Sequence, residues 1–280
     1  MIKPTIHCIC NGQYLERAFE YNAPPAGETP FDLGGQTYKR AYERCTLCGH
    51  WFANHNIDLS GLYKKEYVDA TYGGLAGMAE RLNKILALPP EKSDNLGRVR
   101  RIQTFVRERL NRDCNQLRLL DVGAGIGVFP ATMKALGCQV IAIEQDARTA
   151  RHLQENVEIQ ALSVDFLVLS PKEIGLFDLI TFNKVLEHVE EPVALLQHSR
   201  FFLKPNGFCY VELPAVSAAT KGAAREEFFI EHYHVFSAAS MVLLAQYAGF
   251  QILKIEDIRE PSSKFTLCGF LQAKDMENCI

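Results

Sequence analysis

The sequence has no long hydrophobic run, no strong excess of charge of one sign and no recognisable targeting segment. No apolar stretch reaches the roughly 18–20 residues of a membrane-spanning helix. The formal net charge is −3, whereas nucleic-acid-binding surfaces are strongly basic. The opening residues, MIKPTIHCIC, lack the apolar core of a signal peptide. We therefore expect a cytoplasmic protein with no membrane span, whose nine cysteines are mostly reduced thiols.

Internal repeats and low-complexity tracts are also absent, and the composition is that of a soluble globular protein. The 280 residues are enough for one large domain with an appendage. Turn formers and aromatic residues dominate the first part of the chain, and a break is predicted at Pro89-Pro90. We divide the chain into a loop-rich module (1–60), a linker and cofactor-entrance segment (61–94) and a main domain (95–280).

Strand-like and helix-like segments alternate in the main domain. Apolar residues recur every three or four positions from Leu96 to Leu110, which indicates an amphipathic helix. Short apolar runs predict strands at LRLLDV, QVIAIE, FDLITF and GFCYVEL, and the last two, QILKIEDI and KFTLCGFLQAK, are expected to pair antiparallel. This order predicts an α/β fold with a mostly parallel sheet and helices on both faces, in which ligands bind at the carboxyl ends of the strands.

The first of these strands ends in a glycine-rich turn, LLDVGAGIG, that precedes a predicted helix. Gly123, Gly125 and Gly127 allow a sharp bend and a close approach to a ligand. Their spacing is G-x-G-x-G, not the G-x-G-x-x-G of dinucleotide-binding proteins. Glu144 ends the next strand, where a carboxylate can bind two ribose hydroxyls. The turn is therefore a predicted nucleotide-binding loop, and a tight turn without a ligand is the alternative.

Four segments together resemble the class I S-adenosylmethionine-dependent methyltransferases: DVGAGIG, the strand that ends in Glu144, FDLITFNKVLEHVEEP and LKPNGFCYVELP. The resemblance covers about residues 95–280 and implies a doubly wound, Rossmann-like fold with a mostly parallel seven-stranded sheet. It also implies S-adenosylmethionine as the cofactor. The candidate cofactor-binding residues, including a linker tyrosine at the cofactor entrance, are Asp121, Gly123, Ala124, Gly125, Gly127, Glu144, Gln145, Asp165, Phe166, Asn183 and Tyr72.

Four cysteines lie in the first fifth of the chain, as Cys8-x-Cys10 and Cys45-x-x-Cys48. Two close thiolate pairs across a loop can supply the four soft ligands of a structural zinc site, and free thiols or a redox pair are the alternatives. The stretch that begins at Cys45 resembles the region before the catalytic domain in methyltransferases that act on nucleotide-activated sugars. This resemblance implies a small N-terminal zinc-ribbon-like module that packs on the catalytic domain and helps to shape the substrate site.

Methyl transfer to a hydroxyl requires a base, and two clusters of ionisable residues follow predicted strands. His188 belongs to a Glu-His pair after FDLITF, and Glu231, His232 and His234 lie in EHYHVFS. The second stretch resembles the E-H-x-x-x-F-S of sugar C-methyltransferases, in which the Glu-His pair and a nearby tyrosine are candidate bases. Phe229 stands at the tyrosine position, which favours methylation of oxygen. The predicted catalytic residues are His232, Glu231, His188 and His234.

The predicted function is methylation of a small molecule, with a sugar, sugar nucleotide or glycan precursor as the favoured acceptor. Methylation of RNA or protein is the alternative, because residues 98–112 are basic, although such runs are more often solvated helix faces. A module that binds the cofactor without catalysis is a third hypothesis. DNA is disfavoured, because Asn183 is not followed by Pro-Pro-aromatic and the turn has no Pro-Cys nucleophile. A metal held by His232 and His234 has no obvious third ligand in the sequence, and the sequence does not predict the oligomeric state.

Overall fold

A computed structural model defines the fold for residues 14–31, 33–57, 59 and 74–274. In these residues the strands are β1 (Leu15–Tyr21), β2 (Arg40–Cys45), β3 (Trp51–His55), β4 (Arg118–Val122), β5 (Gln139–Glu144), β6 (Gln160–Ser163), β7 (Phe177–Asn183), β8 (Leu203–Pro214), β9 (His234–Val235), β10 (Phe250–Arg259) and β11 (Phe265–Ala273). The helices are α1 (Gly74–Leu86), α2 (Asp94–Leu110), α3 (Val128–Ala135), α4 (Ala147–His152), α5 (Pro171–Ile174), α6 (Pro192–Ser199) and α7 (Ala238–Tyr247). None of these helices has the length and apolar character needed to cross a membrane.

The larger sheet has seven strands in the order β10-β11-β8-β7-β4-β5-β6. The strands from β8 to β6 are parallel, and β11 and β10 add two antiparallel strands at one edge. This confirms the predicted mostly parallel sheet and the antiparallel pair at the end of the chain. The strand order reverses direction at β4 and β7, so the carboxyl ends of these two strands frame the crevice in which ligands of such folds bind.

Helices cover both faces of this sheet, and this explains why its central strands are continuous apolar runs rather than alternating ones. In β7, the first six of seven residues are buried. Phe182 packs on one side with Leu196 and Phe236, whereas Leu179 packs on the other with Ile102. Each of these fully buried side chains contributes roughly 1.5–3 kcal/mol of hydrophobic stabilisation. The parallel strands are thereby held rigidly, and the turns at their ends occupy defined positions.

Helix α1 lies in the predicted linker and cofactor-entrance segment, residues 61–94. Its Met78 and Leu82 are buried and join Ile102, Phe129 and Met133 in the core on one face of the larger sheet. Apolar side chains at i and i+4 lie on one face of a helix, and here that face packs against the α/β domain. The predicted boundary at residue 95 therefore cuts through packed structure.

The smaller sheet is antiparallel, in the order β1-β2-β3-β9. The described part of the N-terminal region is thus more regular than the predicted loop-rich module. Its fourth strand, β9, comes from EHYHVFS and pairs with β3 through Trp51↔Val235 and Phe52↔His234. A sheet completed by a two-residue strand from a distant part of the chain leaves no periodic pattern in the local sequence.

Aromatic side chains attach the smaller sheet to the loop after β8. Phe228 contacts the rings of Phe19, Tyr42 and Trp51 edge-on or tilted, with ring centroids 5.1–5.3 Å apart. Such pairs contribute about 0.5–1.5 kcal/mol each beyond their buried area. The N-terminal sheet is therefore packed onto the segment that carries Glu231 and His232.

Candidate active site

The glycine loop follows β4 and reaches the end of β5. Gly123, Gly125 and Gly127 all have positive φ angles, between 53° and 85°, a region that non-glycine residues avoid. A Cβ atom on Gly123 would lie 2.6 Å from Val185 Cγ2, so this turn also requires the absence of a side chain. The loop thus has the close backbone approach that the sequence predicted.

Glu144 lies at the carboxyl end of β5, and its Oε1 accepts a 2.5 Å hydrogen bond from the backbone N–H of Gly125. Burial raises the pKa of this carboxyl to about 7, although the Gly125 N–H opposes the shift. The structure therefore brings the predicted loop and its predicted acidic partner into contact. Ala124 lies in the same turn, and Gln145, next to Glu144, is exposed.

Asp121 and Asn183 connect the ends of β4 and β7. Asp121 is buried, and its Oδ1 accepts hydrogen bonds from Thr181 Oγ1 at 2.5 Å and Asn183 Nδ2 at 2.9 Å. Burial raises the pKa of Asp121 to about 7. The Oδ1 atom of Asn183 is buried and accepts no hydrogen bond from the described residues. Asp121 therefore positions the Asn183 side chain, and the Oδ1 atom of Asn183 remains available to accept a hydrogen bond from a ligand.

The other candidate cofactor residues are placed differently. Asp165 is exposed, and its side chain accepts a hydrogen bond from the Leu167 N–H. Phe166 is buried, and its ring packs against Phe182 and Phe202 in the hydrophobic core. Any contact of Phe166 with a cofactor would therefore use its backbone. The predicted residue Tyr72 lies outside the described residues.

The segment 231–235 is held by backbone contacts from two sides. The N–H of Tyr233 donates to the carbonyl of Glu187 at 2.8 Å, and the N–H of Ala53 in β3 donates to the carbonyl of Tyr233 at 2.9 Å. The hydroxyl of Tyr42 in β2 donates to the His232 carbonyl at 2.6 Å. The N-terminal sheet and the turn after β7 together fix this segment.

His188 and His232 lie side by side, with ring centroids 4.7 Å apart. Nδ1 of His188 contacts the carbonyl of Glu231 at 3.0 Å, and Nδ1 of His232 contacts the carbonyl of Glu227 at 3.0 Å. In the neutral rings each Nδ1 is therefore the N–H donor, and each Nε2 carries the lone pair. Burial lowers the pKa of His188 to about 4, and burial together with His188 holds the pKa of His232 well below its usual range. Both rings are neutral at pH 7.

Glu231 directly precedes His232 in the chain, and the charged groups that act on its carboxyl are Glu28, Arg40 and Glu226. It is half-buried, and burial raises its pKa to about 7. A carboxyl with this pKa can exchange protons near neutral pH, as a general base must. Two of the four predicted catalytic residues, His188 and His232, thus share one site, and Glu231 contributes its backbone carbonyl to it.

The fourth, His234, is fully buried at the junction of the two sheets. Its Nδ1 lies 3.1 Å from Nε2 of His50, and Nδ1 of His50 lies 3.0 Å from Ser240 Oγ. Its ring neighbours are His50, Phe52 and Phe236. These contacts are those of a structural residue and give the predicted catalytic role no support.

Two residues of the turn after β7, Glu187 and Lys184, lie near the site although neither was among the predicted site residues. Glu187 is fully buried, and neither carboxylate oxygen accepts a hydrogen bond from the described residues. Lys184 has a φ angle of 61°, and its Nζ donates to Thr266 Oγ1 at 2.6 Å. The Glu-His pair was itself visible in the sequence, but the burial of its glutamate depends on tertiary packing. For Lys184 the sequence carries no signal.

Part of the basic run on α2 is directed into the protein. Arg98 and Arg101 both bind the buried carboxylate of Glu212, at 2.5 and 2.8 Å. These ion pairs hold the pKa of Glu212 well below its usual range. Two of the cations that suggested an RNA-binding surface are therefore part of the protein interior.

Cys45 and Cys48 flank a tight turn that continues into Gly49, which has a φ angle of 70°. Both sulfur atoms are in buried residues, and the Cys48 N–H lies 3.5 Å from Cys45 Sγ. The Cys48 carbonyl accepts a hydrogen bond from the Ser237 hydroxyl at the start of α7. The other predicted ligands, Cys8 and Cys10, lie outside the described residues.

Comparisons with known proteins agree with this fold. Residues 77–255 match the family described as a methyltransferase domain. Ubiquinone biosynthesis O-methyltransferase of Xanthomonas campestris pv. campestris (strain B100) is 32% identical over 99 residues, which are 34% of this chain and 41% of that protein. The corresponding protein of Xanthomonas oryzae pv. oryzae (strain PXO99A) is 33% identical over 108 residues, 37% of this chain and 44% of that protein. The chain thus spans less than half the length of these curated relatives.

Two solved structures resemble the fold at low sequence identity. Magnesium protoporphyrin IX methyltransferase from Synechocystis PCC 6803, with bound SAH, has a TM-score of 0.57 and 13% identity, over 78% of this chain and all of that chain. The 1,6-didemethyltoxoflavin-N1-methyltransferase of Burkholderia thailandensis, with bound 1,6-didemethyltoxoflavin and S-adenosylhomocysteine, has a TM-score of 0.53 and 16% identity. That match covers 90% of this chain and 100% of the other. At these identities the comparison concerns the fold alone.

Proposed function

The chain belongs to the S-adenosylmethionine-dependent methyltransferases, and on that basis we propose that it transfers a methyl group from S-adenosylmethionine to an oxygen atom of a small molecule. The observation that carries the proposal is the arrangement at the carboxyl ends of β4, β5 and β7. There the glycine loop meets Glu144, and His188 follows on the turn after β7 beside His232. One side of the crevice suits a nucleoside, and the other suits proton transfer.

The residues of the crevice fit S-adenosylmethionine. Glu144 would accept hydrogen bonds from the two ribose hydroxyls, in place of its present bond to Gly125. The buried acceptor of Asn183 would receive a hydrogen bond from the ammonium group of the methionine portion. Gly123 and Gly125 would let the backbone approach the cofactor without a side chain between them. When bound, the cofactor supplies an electrophilic methyl group on a sulfonium.

The protein's part in the reaction is to hold the acceptor oxygen in line with that methyl group and to remove its proton. Glu231 is suited to accept the proton, because burial raises its pKa to about 7. The neutral ring of His232, whose Nε2 carries the lone pair, can accept a hydrogen bond from the acceptor hydroxyl. The Phe229 ring provides no proton acceptor, which favours an oxygen nucleophile over a carbon one.

A sugar, sugar nucleotide or glycan precursor is the acceptor that we propose. An open cavity of about 550 Å³ lies on the N-terminal sheet, and most of the residues that line it are of polar type, among them Asn22, Lys39 and Asn54. His55 also lines it, and its ring stacks on Tyr233, the neighbour of His232. The amide and ammonium groups of these side chains can form hydrogen bonds with the hydroxyls of a sugar. The relatives named ubiquinone biosynthesis O-methyltransferases support oxygen as the accepting atom.

We also propose that the N-terminal module holds a structural zinc ion through Cys8, Cys10, Cys45 and Cys48. The turn from Cys45 to Gly49 supports this, because it places two thiols on one tight loop and directs a backbone N–H at Cys45 Sγ. Hydrogen bonds of this kind stabilise thiolate ligands. The ion would brace the turn whose Cys48 carbonyl contacts the start of α7.

Calorimetric titration with S-adenosylmethionine tests the first half of the proposal, and turnover on sugar nucleotides tests the second. Glu144→Ala should weaken cofactor binding by at least about tenfold, because the carboxylate would make two hydrogen bonds to the ribose. His232→Ala should lower turnover sharply while the cofactor affinity stays within about twofold. Absence of S-adenosylmethionine binding by the intact chain would refute the proposed function. Turnover of a catechol-type phenol but of no sugar compound would refute the sugar acceptor and keep the methyltransferase.

A further inference from the structure

From the cluster around Glu187 we infer that the site binds a divalent transition-metal cation through Glu187, His188 and His232. One potential ligand atom from each of these residues lies within 4.8 Å of the other two, and no other group of this kind occurs among the described residues. Around a bound ion at about 2.1 Å, neighbouring ligand atoms are about 3–4 Å apart. Small side-chain movements would therefore close the set on a cation.

The state of Glu187 is a second, independent observation. Its side chain is fully buried, yet neither of its carboxylate oxygens has a hydrogen-bond partner among the described residues. Buried carboxylates are normally paired or bound to a metal, because an isolated one costs several kcal/mol in desolvation. The nearby ammonium of Lys184 donates its hydrogen bond to Thr266 instead. A cation between Glu187 and the two histidines would supply the missing partner.

The orientation of the histidines also suits ligation. The Nδ1 atoms of His188 and His232 contact the backbone carbonyls of Glu231 and Glu227, respectively. Metal-binding histidines usually direct one ring N–H at such an acceptor, which fixes the ring and leaves the lone pair on the other nitrogen. The two backbone carbonyls thus orient the rings of His188 and His232 so that the Nε2 atom of each can bind a cation.

The ligand types define the class of cation. Two imidazoles and one carboxylate suit zinc, cobalt, manganese or ferrous iron, whereas magnesium and calcium prefer oxygen ligands. Three protein ligands leave at least one coordination position open. The open position would hold the acceptor oxygen, which is the part of the inference that rests on the proposed function. With the cation bound, His188 and His232 act as ligands, and Glu231 remains as the proton acceptor.

Cobalt(II) is the probe that tests the site. We expect the protein with zinc bound at its cysteine set to bind one further equivalent of Co²⁺, with visible d–d absorption and without thiolate charge-transfer bands. Glu187→Gln and His232→Gln should each weaken this binding at least tenfold. His198→Gln is the matched control, because that ring also contacts a backbone carbonyl, of Leu169, but lies outside the cluster. The control should bind cobalt as the wild type does.

Glu187→Gln should fold, because it replaces an unpaired buried carboxylate with a neutral group. If Glu187→Gln fails to fold, the cobalt affinity of His232→Gln tests the site instead. The inference is wrong if the wild-type protein shows no cobalt absorption, or if both variants keep the wild-type absorption. Calorimetry with S-adenosylmethionine on the same samples separates the two proposals. Cofactor binding without cobalt binding removes only the cation site, and cobalt binding without cofactor binding removes only the proposed function.

Discussion

Tyr42→Phe tests whether the N-terminal sheet positions the candidate active site. The Tyr42 hydroxyl lies 2.6 Å from the His232 carbonyl and 3.3 Å from that of Phe229, and the residue is fully buried. Removing the hydroxyl deletes one hydrogen bond, worth about 1 kcal/mol net, and leaves a buried carbonyl unpaired at a further cost of about 1 kcal/mol or more. We therefore expect the free energy of unfolding to fall by about 1–2 kcal/mol, which corresponds to roughly 2–8 °C in melting temperature.

The effect on turnover distinguishes positioning from general support. Displacement of a reacting group by about 1 Å can cost up to a hundredfold in rate, so we expect Tyr42→Phe to lower kcat/KM at least about tenfold. The affinity for S-adenosylmethionine should stay within about twofold, because Glu144 and Asn183 do not contact this part of the sheet. Urea unfolding, calorimetry and a coupled assay for S-adenosylhomocysteine measure the three quantities.

Tyr21→Phe is the matched control. The Tyr21 hydroxyl donates to the carbonyl of Ala223 at 2.7 Å, from the same sheet to the same loop but away from Glu231 and His232. It should lose about 1 kcal/mol of stability and keep its turnover. If both variants lose stability and neither loses activity, Tyr42 only supports the fold, and the proposed role of the N-terminal sheet at the site is wrong.

Two further predictions concern the junction between the sheets. Cys45→Ser should remove most of the bound zinc and lower the melting temperature, because structural zinc contributes to folding. Cys209→Ser is the control, because Cys209 is buried but lies outside the predicted ligand set. The zinc content of this control, measured by atomic emission, should be unchanged. Burial lowers the pKa of His234 to about 4 and holds that of His50 well below its usual range, so the unfolded chain takes up protons first as the pH falls below about 6.5. The free energy of unfolding, measured with urea, should therefore be about 1.5 kcal/mol lower at pH 5 than at pH 6.5 through His234 alone. A free energy of unfolding that does not change across this range would contradict a buried, neutral His234 in the folded protein.

The sequence predicted the α/β domain well, because its signals are local. Apolar runs of β4, β5 and β7 and the glycines between them specify strands and turns within a few residues. The contact between Gly125 and Glu144 could also be predicted, since the carboxyl ends of neighbouring parallel strands meet at one edge. The glutamate and the loop are therefore adjacent in any sheet with this strand order.

The rest depends on contacts between distant residues. The burial of Glu187 and the pairing of His50 with His234 arise where the N-terminal sheet meets the turn after β7. Arg98 looked like part of a solvated face, because its partner Glu212 lies on a strand more than a hundred residues later. Helix α1 was not predicted, although Met78, Leu82 and Ile85 recur at helical spacing, because a glycine pair directly before these positions is typical of a linker.

The placement of β9 has a consequence for how the chain is synthesised and folded. His50 and His234 are 184 positions apart, yet His50 directly precedes β3 and His234 lies on β9, the strand that pairs with β3. Strands β1 to β3 leave the ribosome long before the strand that completes their sheet, so this sheet reaches its final form only after nearly the whole α/β domain has been made. Pairings of such long sequence separation form slowly. We expect the N-terminal sheet to be the late-closing part of the molecule, and Glu231 and His232 to reach their final positions in the same step.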